Sequence, residues 1–245
     1  MKNTSLVFYK LHFLFNVMVD YNKAFTRPFT DFKKFFIGFI FSLPLPFVSI
    51  FTNISAIGYY YECGRSSFNN RYRLPEWKNF GTLWVRGLLG GVIGLCYLLP
   101  AILVFVFLLA KNISIVYTFE SFNPLSLFAN FGPWISLPIA LIILASYLLP
   151  IAILNFVTKA NFRAAFDFGF IFKRTFTVYY LSVWVIITLI NVFFILIGTL
   201  YFLPMVHDAM AFRIMMLIYV FAALRDHIMG VFSFTLYGRV LKQLK

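Results

Sequence analysis

Arg225, Asp226 and His227 are a cluster of ionisable residues inside the last apolar segment of the chain. Ionisable side chains at such depth are costly in a membrane, so they mark candidate sites for transport or proton transfer. One interpretation is a proton or ion relay in which Asp226 changes its protonation state and Arg225 sets its affinity. The alternative is a structural ion pair at a re-entrant turn, because consecutive helical residues point about 100° apart and cannot all face one cavity.

Residues for other chemistry are scattered along the chain. The three His residues stand at positions 12, 207 and 227, whereas a metal site needs three or four convergent ligands. His207 with Asp208 is therefore interpreted as a solvated loop. Cys63 and Cys96 lie in different contexts and indicate neither a disulfide nor a metal site. Because a phosphate-binding glycine loop and a nucleophile elbow are also missing, the sequence predicts no catalytic residue, no cofactor and no metal, and hence no enzyme.

Composition indicates a membrane protein. Of the 245 residues, 62% are hydrophobic and 12% are charged, against about 45–50% and about 25% in soluble domains. The formal net charge of +13 comes from basic residues at the ends of apolar segments, where they attract anionic lipid head groups. The basic and aromatic stretch from Arg71 to Lys78 is accordingly interpreted as an interfacial anchor. Membrane lipids are thus an expected partner, and nucleic acid is not.

Apolar helices must position these residues. A bilayer core about 30 Å thick needs roughly 20 apolar residues in a helix. Five segments reach that length: Phe35–Tyr61, Leu83–Ala110, Trp134–Val157, Val178–Leu203 and Ile214–Tyr237. Pro44 and Pro46 interrupt the first, which either spans the membrane or forms a re-entrant hairpin, because proline breaks a helix. The predicted fold is all-α and polytopic, with four to five transmembrane helices, several of them kinked at proline.

The basic residues favour the hairpin. Lys and Arg concentrate in the short cytoplasmic loops of membrane proteins, and both flanks of the segment 35–61 are strongly basic. If this segment enters and leaves on one side, all but three of the 21 Lys and Arg residues fall on that side. This arrangement predicts four further spans with both termini in the cytoplasm. The absence of a cleavable presequence suits the inner membrane of a prokaryote.

Two amphipathic stretches are predicted to lie as helices in the membrane interface. In the amino-terminal segment, residues 1–30, the polar stripe is His12, Asn16, Asp20, Lys23 and Arg27, and the apolar stripe is Phe8, Leu11, Phe15 and Val19. In the second stretch, Asn161–Phe176, the polar stripe is Arg163, Asp167 and Arg174. Residues 31–245 are predicted to form one helical membrane domain.

Four glycines on the second apolar segment predict a helix-packing groove. Gly87 pairs with Gly91, and Gly90 pairs with Gly94, each four positions apart. Such pairs let another helix backbone approach closely, which stabilises contacts between helices in lipid. The partner helix belongs either to this chain or to another subunit, so a homo-oligomer and a larger membrane complex are both compatible with the groove.

A motif follows the first apolar segment. Gly58-Tyr59-Tyr60 leads to Gly64-Arg65, then to Leu74-Pro75-Glu76-Trp77-Lys78-Asn79-Phe80-Gly81 and Gly87-Leu88. Together with Ala164-Ala165-Phe166-Asp167-Phe168 and Tyr179-Tyr180, these residues resemble the prokaryotic multi-pass membrane family known as domain of unknown function 4013, from about Asp31 to the C-terminus. The resemblance implies a fold and a location, but no reaction, ligand or catalytic residue.

The motif also has a physical interpretation. Pro75 favours extended backbone at Leu74 and suits the first turn of a helix, and Trp77 is expected at head-group depth. Leu74, Pro75, Glu76, Trp77 and Gly81 are therefore the predicted interfacial motif at the entrance of a membrane helix.

Two functions follow from these observations. The leading hypothesis is a non-enzymatic accessory, assembly or lipid-organising membrane component. The alternative is a small oligomeric transporter or channel that uses Arg225, Asp226 and His227, although transport needs a continuous polar lining and the apolar segments carry few polar residues. A membrane-embedded enzyme acting on lipid is a third and weaker hypothesis.

Overall fold

The computed structural model describes residues 20–44, 48–111, 132–202 and 209–244. The described helices are α1 (Tyr21–Thr26), α2 (Phe32–Ser42), α3 (Ser49–Phe68), α4 (Phe80–Lys111), α5 (Ser136–Lys159), α6 (Phe168–Thr175), α7 (Val178–Phe202) and α8 (Ala209–Gln243). Short 3-10 helices at Arg27–Thr30, Gly132–Ile135 and Phe162–Phe166 lead towards α2, α5 and α6. These ranges contain no strand. The structure thus agrees with the predicted all-α polytopic fold.

Three helical stretches in the described part are long and apolar enough to cross a membrane: Phe80–Lys111, Gly132–Lys159 and Val178–Ile197. They coincide with the second, third and fourth predicted segments, and Pro100 and Pro150 lie inside two of them. α8 covers the fifth segment and is not among these three. A total of four to five spans stays a prediction.

The first predicted segment folds as a helical hairpin. α2 ends at Ser42 and α3 begins at Ser49, on either side of the predicted proline break. The ammonium of Lys34, near the start of α2, donates a hydrogen bond to the carbonyl of Leu74 beyond the end of α3, at 3.0 Å. The start of α2 therefore lies beside the end of α3, as in the hairpin alternative.

α3 is the central helix and packs against both α4 and α8. A Cβ atom added to Gly58 of α3 or to Gly87 of α4 would lie 1.9 Å from a backbone carbonyl oxygen of the facing helix. On the other side, a Cβ atom on Gly238 of α8 would lie 2.2 Å from the carbonyl oxygen of Gly64. Side chains are thus excluded at these crossings, and the close approach supplies the packing that holds helices together in lipid.

The second amphipathic stretch is not one helix. It forms the 3-10 helix Phe162–Phe166 and then α6. Asp167 separates them, because its carboxylate accepts a hydrogen bond from the Phe170 amide at 3.1 Å and so caps α6. The same carboxylate lies 3.6 Å from the Lys159 ammonium. The prediction of a continuous helix over Asn161–Phe176 is therefore wrong, because this cap starts a new helix.

The amino-terminal stripe is described only in part. His12, Asn16, Phe8, Leu11, Phe15 and Val19 lie outside the described residues. Asp20 caps α1, and Lys23 is exposed within it. Arg27 differs from the prediction, because its side chain is fully buried instead of facing the interface.

Candidate functional site

The structure separates the members of the Arg225-Asp226-His227 cluster. Arg225 donates two hydrogen bonds to one carboxylate oxygen of Asp226, at 2.6 and 2.8 Å, and the Asp226 side chain is 58% exposed. His227 points the other way and is 1% exposed. The cluster therefore consists of an outward-facing ion pair and a buried imidazole, without a common cavity.

His227 lies where α8 packs against the hairpin. Its Nδ1 atom lies 3.3 Å from the hydroxyl of Tyr60, which in turn lies 2.8 Å from the hydroxyl of Ser42. The imidazole also packs edge-on against Phe35, and it fills the space above Gly38, where a Cβ atom would overlap it. These contacts make His227 a buried packing residue that joins α2, α3 and α8.

The four glycines of the predicted groove face two environments. Gly87 lies against the α3 backbone, and Gly90 lies against the ring of Tyr61. A Cβ atom on Gly91 would meet no atom within 4 Å, and one on Gly94 would make only an ordinary contact at 3.8 Å. Gly87 and Gly90 therefore pack within the chain, whereas Gly91 lies on the exposed face of α4.

The interfacial motif is an extended loop that ends before α4. Pro75 lies five positions ahead of Phe80, the first residue of α4, so it does not occupy the first helical turn. Trp77 is buried within the protein, and its ring stacks on Tyr59 at a centroid distance of 3.9 Å. Its indole N–H donates to the carbonyl of Lys34 at 3.0 Å. Leu74 is also buried, while Glu76 and Gly81 are exposed. The motif therefore fixes the loop to the hairpin.

An ion pair also joins this loop to α2 at the protein surface. The Lys34 ammonium lies 2.8 Å from the Glu76 carboxylate and 3.3 Å from that of Asp31. The hydrogen bond from Lys34 holds the pKa of Glu76 below its usual range, and the same bond raises the pKa of Lys34. The backbone amide of Lys34 is the largest cause of a lowered pKa at Asp31. Both carboxylates thus favour the charged form in the folded state.

Arg27 has a buried structural role that its place on the amino-terminal polar stripe does not predict. Its side chain is 0% exposed. The guanidinium donates to the carbonyl oxygens of Cys63, Arg71, Tyr72 and Arg73 and to the hydroxyl oxygens of Ser66 and Thr235, at 2.9–3.3 Å. Burial lowers the pKa of Arg27, but a guanidinium remains charged in proteins. Backbone dipoles near the carboxyl end of α3 thus surround a buried cation, which the negative end of a helix favours.

Beside the loop that Arg27 holds, the chain forms an open basic cleft of about 740 Å³. Its ionisable lining residues are Glu62, Arg65, Arg71, Arg73, Glu76, Lys78 and Arg86. Glu62 pairs with Arg86 and lies 3.5 Å from Arg65. Among the described residues, the side chains of Arg71, Arg73 and Lys78 form no ion pair. The cleft therefore carries free positive charge.

A second cleft of about 500 Å³ adjoins the first at Arg71 and Tyr72. Lys23, Arg239 and Lys242 line it, with Asp20 as its carboxylate. The Arg239 guanidinium donates to the Asp20 carbonyl at 3.1 Å. In the described ranges, no group of three or more His, Cys, Asp or Glu residues could hold a metal ion. The two clefts have the chemistry of anion binding rather than of metal binding.

The amino-acid sequence of the chain matches a known protein family. The model of a family described as "Protein of unknown function (DUF4013)" matches residues 37–205. The chain belongs to this DUF4013 family. The match contains the motif around Trp77 and ends before α8, so it is shorter than the predicted likeness to the C-terminus. Arg27 and the cluster at 225–227 lie outside it. No curated protein and no solved structure matches the chain.

Proposed function

We propose that this DUF4013 protein is a non-enzymatic accessory component of a membrane that holds anionic lipids at its basic end. One observation carries the proposal: Arg71, Arg73 and Lys78 stand unpaired in an open cleft directly before the first helix that is long enough to span a membrane. A free cation near an anionic membrane surface contributes about 1 kcal/mol of attraction. Lipid organisation is therefore the activity that this arrangement supports best.

The hairpin supports a single basic side. Because α2 and α3 fold back on each other, the described basic residues near the start of α2 lie at the same end as the basic loop after α3, and the bond of Lys34 to the Leu74 carbonyl supports this. The end of α8 lies there too, since Arg239 bonds to Asp20. We assign this end to the cytoplasmic side of a prokaryotic inner membrane, with both termini in the cytoplasm, because the positive-inside rule favours it.

The transporter alternative lacks a polar lining in the described helices. The side chains of Ser146, Ser182 and Asn191 bond to carbonyl oxygens of their own helices. Asn155 is buried and donates to the carbonyl of Ala164 at 2.7 Å. Ser146, Ser182 and Asn191, which bond within their own helices, do not form a path.

The test is to purify the tagged protein from its own membranes in mild detergent and to measure the lipids and proteins that co-purify by mass spectrometry. We expect anionic phospholipids to be enriched over the bulk membrane extract. The control is another helical membrane protein purified from the same membranes. A lipid composition equal to that of the bulk would contradict the proposal.

The same preparation addresses the alternatives. A protein partner at fixed stoichiometry would make this an assembly component and would indicate its pathway. A homo-oligomer alone would favour transport, which flux into liposomes would then measure. Loss of flux after Asp226→Asn would identify the Arg225–Asp226 pair as part of a path.

A further inference from the structure

We infer that the basic cleft is a binding site for the phosphate of one anionic phospholipid, whose acyl chain lies in an adjoining apolar groove between α4 and α5. This inference rests on the proposed lipid-organising function and names its ligand and its place. The side chains that would bind the phosphate are Arg71, Arg73 and Lys78. Nothing in the family relationship assigns such a site.

The loop that carries these cations is held in place from within. The carbonyl groups of three consecutive residues, Arg71, Tyr72 and Arg73, all accept hydrogen bonds from the buried Arg27 guanidinium. With its carbonyls turned inward, the loop leaves the side chains of Arg71 and Arg73 exposed. A site whose backbone is already ordered loses less conformational entropy when it binds a ligand.

The two carboxylates that line the cleft, those of Glu62 and Glu76, form ion pairs with other basic residues. The Glu62 carboxylate is taken by Arg86, and the Glu76 carboxylate is taken by Lys34. Arg71, Arg73 and Lys78 therefore stay outside these ion pairs, and the cations that line the cleft outnumber its two carboxylates. A guanidinium binds a phosphate through two parallel hydrogen bonds, and an ammonium adds a point charge. Two arginines and one lysine around an open space suit the negative charge of a lipid phosphate.

An apolar groove continues the basic cleft along α4. This groove has a volume of about 330 Å³ and shares Thr82 and Arg86 with the cleft. Beyond these two residues its walls are mainly apolar, with Val85 and Leu89 on α4 and Phe156 and Val157 on α5. The shared residues place a charged site and an apolar site end to end, as a lipid requires. A soluble phosphate ester would use only the basic part.

The experiment compares two double variants that each remove two exposed positive charges. Arg73→Gln/Lys78→Gln changes the cleft, and Arg163→Gln/Lys173→Gln is the matched control on the exposed residues around α6. Delipidated protein in detergent is titrated with short-chain phosphatidic acid or with phosphatidylcholine. Native mass spectrometry counts the bound lipids, and circular dichroism checks that each variant keeps its helical fold. Glycerol phosphate serves as the soluble competitor.

We expect one saturable phosphatidic acid site, with little binding of phosphatidylcholine. Each basic residue near an anionic lipid contributes about fivefold to affinity, so the cleft variant should bind roughly 25-fold more weakly. The control should bind within about twofold of the wild type, because exposed charges away from the site act only through a screened field.

Three results would overturn the inference, and they differ in what they leave standing. Equal weakening in both double variants would mean diffuse surface attraction, which removes the site but keeps the proposed function. Equal binding of phosphatidic acid and phosphatidylcholine by the wild type would remove both. Displacement of the lipid by an equal concentration of glycerol phosphate would make the ligand a soluble phosphate ester instead of a lipid.

Discussion

Replacing Arg27 with methionine should destabilise the protein more than any exposed basic substitution. The side chain of methionine fills much of the same space but donates no hydrogen bond. Two of the six bonds of Arg27, to the Cys63 carbonyl and to the Thr235 hydroxyl, are fully buried. Hydrogen bonds to charged groups contribute about 1.5–3 kcal/mol each, so these two alone predict a loss of about 3–6 kcal/mol. The other four acceptors are only partly buried and can bond to water.

Cys63 offers a direct assay for this prediction. It is buried, and burial raises the pKa of its thiol to about 12, so a thiol-reactive dye cannot label the folded protein there. Cys96 is exposed and is first replaced with serine. Heating then reports unfolding as labelling of Cys63. For a chain of this length each kcal/mol shifts the melting temperature by about 2–4 °C, so we expect Arg27→Met to lower it by roughly 6–24 °C.

Two further variants show whether the reasoning is right. Arg27→Lys keeps the charge but has three donors on one nitrogen, so it should recover part of the stability. Arg163→Met makes the same chemical change on the surface and should stay within about 0.5 kcal/mol of the wild type. If Arg27→Met melts together with Arg163→Met, the buried bonds of Arg27 contribute no net stability, and the account of the ordered loop is wrong.

The remaining predictions concern packing and pH. Gly87→Leu should lower the melting temperature strongly because its side chain would enter the backbone of α3, whereas Gly91→Leu should be tolerated on the open face of α4. Asp226→Asn should leave stability within about 0.5 kcal/mol because this residue is exposed, and His227→Ala should cost about 2–4 kcal/mol because it empties a buried site. Glu76 has a lowered pKa in the folded state, so its contribution is present above pH of about 4.3 and is lost as the pH falls through the folded value. The difference in melting temperature between wild type and Glu76→Gln, followed by tryptophan fluorescence, should therefore shrink on acidification; a constant difference would contradict the ion pair.

The sequence alone determined where the long apolar helices lie and where the first segment breaks. Apolar residues and prolines affect the backbone within a few turns of their own position. The apolar segments in the sequence therefore predict the helices α4, α5 and α7 directly. The proline pair predicted the gap between α2 and α3 for the same reason. The motif around Trp77 likewise identified the family, because it is contiguous in the chain.

Periodicity was less informative where a short polar contact decides the structure. The periodicity places Asp167 on the polar stripe of one helix, yet its carboxylate caps a new helix instead. The three ionisable residues at 225–227 are consecutive in sequence. Because an α-helix has 3.6 residues per turn, the His227 side chain faces the protein interior while that of Asp226 faces outward. Which direction is the interior depends on how α8 packs against α2 and α3.

Arg27 shows what only the tertiary structure could decide. Its bond to Thr235 joins residues 208 positions apart, and its other partners lie 36–46 positions away. No local pattern encodes such contacts, since a basic residue on an amphipathic stripe is normally solvated. The fold brings the end of α3, the loop before α4 and the end of α8 around one guanidinium. Because this guanidinium holds the loop before α4 in place, the basic cleft that the loop lines depends on contacts from distant segments.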